Sequence, residues 1–74
     1  MTLYYDKICG LCEKYLSGGG KMFLDRQISA HLNKNPELLE PTDKTDLAKW
    51  CKISGKLILG EDKSQKLANE ILSS

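Results

Sequence analysis

The apolar positions of this chain change period several times, and each change predicts an element. Thr2 to Tyr5 is short, β-branched and aromatic, which predicts a strand. Glu13-Lys14-Tyr15-Leu16 are compatible with a helix, so a helix is expected to open at the preceding Cys9-Gly10-Leu11-Cys12. Gly18-Gly19-Gly20 ends it, because glycine costs about 1 kcal/mol per residue inside a helix. Lys21-Met22-Phe23-Leu24 fits two patterns. It reads as a second strand, and it also opens an i+4 series of Leu24, Ile28 and Leu32. The expectation is a strand through Leu24 and a turn or helix from Asp25.

The second half carries clearer punctuation. Asn35-Pro36 starts a helix, with Asn as cap and Pro at the first position, and Pro41 interrupts it. Thr42 or Asp43 restarts a helix in which Leu47 and Trp50 share a face. Lys52 to Gly60 has the form of a β-hairpin turning at Ser54-Gly55. Asp62 caps a last helix with Leu67, Ile71 and Leu72 as its apolar stripe. The expected order is strand, Cys-x-x-Cys, helix, strand, helix, hairpin, helix, an α/β arrangement in a single domain over residues 1–74.

Composition narrows the function classes. With 74 residues there is room for one small core, and 41% hydrophobic residues suffice to fill it. Eleven basic and ten acidic residues give a net charge of +1, so neither nucleic acid nor an acidic membrane is indicated as a partner. No apolar run reaches the roughly 20 residues of a membrane span. No basic region precedes a long apolar stretch, so a secretory signal is not expected. Three cysteines are an odd and sparse set for a secreted disulfide scaffold, and the expectation is a soluble cytoplasmic protein with reduced thiols.

The candidate chemistry lies in Cys9-Gly10-Leu11-Cys12. Two thiols at this spacing can close a redox disulfide or hold two corners of a metal tetrahedron. They can also be two small core residues. The redox reading makes Cys9 the nucleophile at the start of a helix, where unpaired N–H groups favour a thiolate, and Cys12 the resolving thiol. The metal reading adds His31, the single histidine, and Cys51 to give a Cys3His zinc site with spacing Cys-x2-Cys-x18-His-x19-Cys. That spacing matches no compact finger pattern. Against both, Cys51 reads as a buried small hydrophobe and His31 as a surface or helix-flank residue. The five aromatics, Tyr4, Tyr5, Tyr15, Phe23 and Trp50, are about the number a core of this size requires. Gly18-Gly19-Gly20-Lys21 lacks the spacing of a phosphate loop.

Three stretches carry a resemblance. Leu3 to Cys12 resembles the Tyr-Asp-x-x-Cys-x-x-Cys opening of the DCC-type thiol-disulfide oxidoreductases. Ile53 to Gly60 is similar to the closing hairpin of glutaredoxins, and Asp62 to Leu72 falls where their last helix lies. The chain thus resembles the thioredoxin-like superfamily in its short, glutaredoxin-like form. The likeness covers under half of the chain. Ala48-Lys49-Trp50-Cys51-Lys52 lacks the proline that faces the cysteines in that family. The resemblance implies a minimal thioredoxin-like fold and a small dithiol oxidoreductase cycling a Cys9–Cys12 disulfide. It implies no bound cofactor and a protein or small-molecule disulfide as substrate. The alternative is a zinc-stabilised Cys3His interaction module or regulator that binds a larger protein, of the kind viral and mobile elements encode. The sequence leaves the oligomeric state open.

Overall fold

The computed structural model describes residues 3–74, and within them every regular element is helical. Helix α1 spans Tyr4–Tyr15 and α2 spans Gly20–Gln27, running on as one π turn at Ile28–Leu32. Two short 3-10 turns, Pro36–Leu38 and Pro41–Asp43, lead into α3 at Lys44–Leu59 and α4 at Glu61–Leu72. The expected α/β thioredoxin-like fold is therefore corrected: that fold is built on a central sheet, and the described residues form no strand. The likeness to glutaredoxins and DCC-type proteins falls with it.

Each misplaced strand has a local cause. Thr2 lies outside the described residues. Leu3 is extended (φ −71°, ψ 149°) but serves as the N-cap of α1, and Tyr4 and Tyr5 are already helical. Tyr5, Ile8 and Cys12 bury one stripe of α1 at i, i+3 and i+7. In Lys21–Leu24 the i+4 pattern prevails, with Leu24 and Ile28 fully buried. The expected hairpin at Lys52–Gly60 is the second half of α3. There Ser54-Gly55 continues a helix instead of turning a chain, because Leu47, Ala48, Cys51 and Gly55 form one buried stripe. Burial along the whole stripe outweighs the turn preference of two residues.

The chain folds as two helical hairpins. The Leu16–Gly19 connection returns α2 along α1, as the glycine run anticipates. No side chain caps α2 from its own N-cap, Gly19. Instead the Glu13 carboxylate of α1 accepts from Lys21 N (3.0 Å), one of the open donors in the first turn of α2, and from Gly18 N (2.9 Å) in the connection before it. Within this hairpin α1 and α2 touch so closely at Gly20 that a Cβ built there meets Cys12 C at 2.6 Å and Glu13 Cα at 2.7 Å. After α2, Asn33 takes a left-handed conformation (φ 52°) and ends the π turn.

Asn35 acts as the expected cap, its Oδ1 accepting from Glu37 N at 3.0 Å, but what it caps is a three-residue 3-10 turn and not the expected helix. Asp43 closes the next turn by accepting from Glu40 N (3.0 Å) and from Lys34 Nζ (2.7 Å). The Lys34 bond holds the Asp43 carboxyl below its ordinary pKa.

Gly60 alone links α3 to α4, which folds back along α3. A Cβ built on Gly55 would lie 3.4 Å from Ser64 Cβ, and Lys44 Nζ donates to Ser74 O at 3.3 Å at the opposite end. Small buried residues line this seam, Ala48, Cys51 and Gly55 on α3 and Ser64 and Ala68 on α4. Leu67 and Ile71 join the common core with Tyr5, Ile8, Leu24, Ile28 and Leu47. The two hairpins are tied at the surface by Glu70, which accepts from Lys14 Nζ at 3.0 Å and from Tyr15 Oη. No described helix is long and apolar enough to cross a membrane.

Candidate functional site

The cysteines do not occupy the site their spacing suggests. Both lie inside α1, with Cys9 five residues past its start, beyond the open N–H groups that favour a thiolate. Burial, followed by the neighbouring Cys12 and Glu13, pushes the Cys9 thiol above its ordinary pKa, whereas the sequence reading expects it depressed. Cys12 is fully buried and turned to Cys51, itself fully buried on α3. Hydrogen bonding with the Cys51 thiol, then burial, raises the Cys12 thiol far above the usual range. All three cysteines are free thiols. Cys12 and Cys51 thus act as small apolar residues at the contact of the two hairpins, as the sequence reading allowed for Cys51.

His31 lies apart from the thiols. Its ring stacks on Trp50 with centroids 4.0 Å apart and planes 4° from parallel, and Lys49 Nζ lies 5.1 Å from the centre of the Trp50 ring. Cys9, Cys12, His31 and Cys51 are not brought to one point, and among the described residues no three His, Cys, Asp or Glu side chains are grouped to hold a metal.

A different feature stands out on the side of the molecule where α2 and α3 run past each other. Between them lies an open groove of about 380 Å³. Met22 and Arg26 form its α2 wall and Leu57 and Ile58 its α3 wall. Phe23 and Gln27 sit deep, and both are buried. Ser54 Oγ donates to Gln27 Oε1 at 2.9 Å, which fixes the spacing of the two walls with a polar bond. The apolar side chains on the rim face water: Leu57 is 90% exposed, Met22 72%, Ile58 62% and Ile53, one turn before Leu57, 50%. Single exposed apolar residues are ordinary, but a contiguous set around a concavity marks an interaction surface.

The sequence reading missed this surface because it took Lys52 to Gly60 as a β-hairpin. A signal was present. Once Leu47, Ala48, Cys51 and Gly55 are taken as the buried stripe, Ile53 and Leu57 fall about 175° and about 135° from its centre at 100° per residue, where a solvated helix face should be polar.

The chain matches no known protein-family model, and neither a curated protein nor a solved structure is significantly similar to it.

Proposed function

We propose that this protein is a small, non-enzymatic interaction module that uses the α2/α3 groove to dock a segment of a larger protein. The observation that carries this reading is the groove itself, rimmed by Met22, Leu57 and Ile58 and left uncovered by the chain's own helices. Burying those side chains contributes about 25 cal/mol per Å² of apolar surface, and folding leaves that energy unused. The reading keeps the binding role of the zinc alternative without requiring zinc. It is preferred to thiol–disulfide exchange because a resolving Cys12 that is buried, protonated and turned to Cys51 is poorly placed to attack a disulfide on Cys9. Three free thiols suit the reducing cytoplasm, where we place the protein.

The test is selection of binders from a displayed library of short amphipathic peptides, followed by competition against Leu57→Glu protein. Leu57 is nearly free of contacts, so this variant should keep the parent's circular dichroism and melting curve. The expected result is enriched peptides whose binding is lost on Leu57→Glu. Failure to enrich any binder, or binders indifferent to Leu57→Glu, removes the groove reading.

A further inference from the structure

We propose that the occupant of the α2/α3 groove is an acidic amphipathic helix of another protein, an inference that rests on the groove reading above. Backbone chemistry selects the helix. Both walls are α-helices whose N–H and C=O groups are already bonded along α2 and α3, so the groove offers no edge to an extended strand. A helix satisfies its own backbone and needs only an apolar stripe. Stripes at i, i+3, i+4 and i+7 lay one helix into the groove between two others. Along α3, Trp50, Ile53 and Leu57 follow this spacing, so the exposed Ile53 and the His31–Trp50 stack share a helix face with Leu57.

Charge selects the acidic partner. Arg26 lines the groove, and Lys49 and Lys56 are exposed on α3 beside Ile53. The ion pairs among the described residues lie elsewhere, at Lys14–Glu70, Lys21–Asp25 and Lys34–Asp43. Arg26, Lys49 and Lys56 are therefore engaged in no ion pair among the described residues and flank an apolar surface on a chain whose net charge is only +1. On α2 the neighbouring acid, Asp25, is taken up by Lys21 and Tyr5, while Asp46 lies in the first turn of α3 and Glu61 and Asp62 in the first turn of α4. A helix with a leucine-type stripe and flanking Glu or Asp would meet apolar residues at its centre and cations at its rim. A second copy fits poorly, because a two-fold contact through this face sets the same cations against each other. An anionic bilayer fits poorly too, since the apolar surface is concave and floored by the polar Gln27–Ser54 pair, whereas membrane-surface helices present a convex apolar face.

The experiment uses two sets of fluorescent helical peptides sharing the apolar stripes selected by the library, one flanked by Glu and one by Lys, titrated by anisotropy onto the full chain. The expected result is at least tenfold tighter binding of the Glu set at low salt, with the advantage shrinking as salt rises. The double variant Arg26→Glu/Lys56→Glu, exposed at both positions and checked for fold by circular dichroism, should reverse the preference. Equal binding of the two sets in competition with each other, lost on Leu57→Glu, overturns the acidic partner and leaves the groove reading standing. No binding by either set overturns both. Tighter binding to phosphatidylserine vesicles than to any acidic peptide, or a concentration-dependent dimer that excludes the peptides, overturns the helical partner.

Discussion

Gly20→Ala should destabilise the protein by roughly 3 kcal/mol or more, a large part of the stability of a domain this small. The sign decides between two accounts. In an isolated helix, alanine in place of glycine is favourable by about 1 kcal/mol, so helix propensity alone calls for a gain. Here the new Cβ would fall 2.6 Å from Cys12 C and 2.7 Å from Glu13 Cα, against backbone and not the end of a mobile side chain. The α1/α2 hairpin would have to open. Opening it would also pull the Glu13 carboxylate from Gly18 N and Lys21 N, which now close the start of α2. Urea denaturation of the two proteins measures the difference. An unchanged or raised midpoint would mean that α1 and α2 do not approach as described.

Leu67→Ala should cost about 2–5 kcal/mol, and Leu57→Ala less than about 0.5 kcal/mol. Leu67 is fully buried in the core, whereas Leu57 is 90% exposed on the rim of the groove. A hairpin at Lys52–Gly60 would place both leucines inside and make both substitutions costly. Paired denaturation curves therefore report the fold and the groove together. A Leu57→Ala loss comparable to that of Leu67→Ala would place Leu57 in the core and remove the exposed rim.

The legible parts of the fold were those marked by strong punctuation. The glycine run, the Asn35 cap, the break at Pro41 and the presence of a last helix stand where the sequence places them, although Pro36 opens only a three-residue 3-10 turn and the last helix starts at Glu61 from Gly60, without Asp62 as its cap. Two signals misled. The first was residue type at Leu3-Tyr4-Tyr5, where aromatic content suggested a strand while the stripe Tyr5, Ile8, Cys12 had the helical period. The second was Ser54-Gly55. Much of the α3–α4 seam is made by Ala48, Cys51, Gly55, Ser64 and Ala68, and small residues contribute little to a hydrophobicity pattern. Their periodicity becomes visible only when they are counted as buried. Gly55 then reads as the position that lets α4 approach, with Ser64 Cβ 3.4 Å from where its own Cβ would lie.

The candidate site was less legible for a related reason. Cys9-x-x-Cys12 draws attention because that spacing serves redox and metal chemistry elsewhere, but its meaning depends on where the helix begins. With α1 starting at Tyr4, Cys9 loses the helix N-terminus and Cys12 gains a core neighbour in Cys51. The groove has no motif at all. It arises from two segments about thirty residues apart, Met22 to Gln27 and Ser54 to Ile58, and only their packing joins them.

That packing requires α3 to run unbroken from Lys44 to Leu59, because Ser54, Leu57 and Ile58 supply one wall of the groove. The direct measurement is the set of 13Cα chemical shifts of the labelled protein across this segment. An uninterrupted run of helical shifts through Ser54 and Gly55 is the expected result. Strand-type shifts on either side of a turn at Ser54-Gly55 would restore the hairpin, abolish the groove and contradict the function assigned to it.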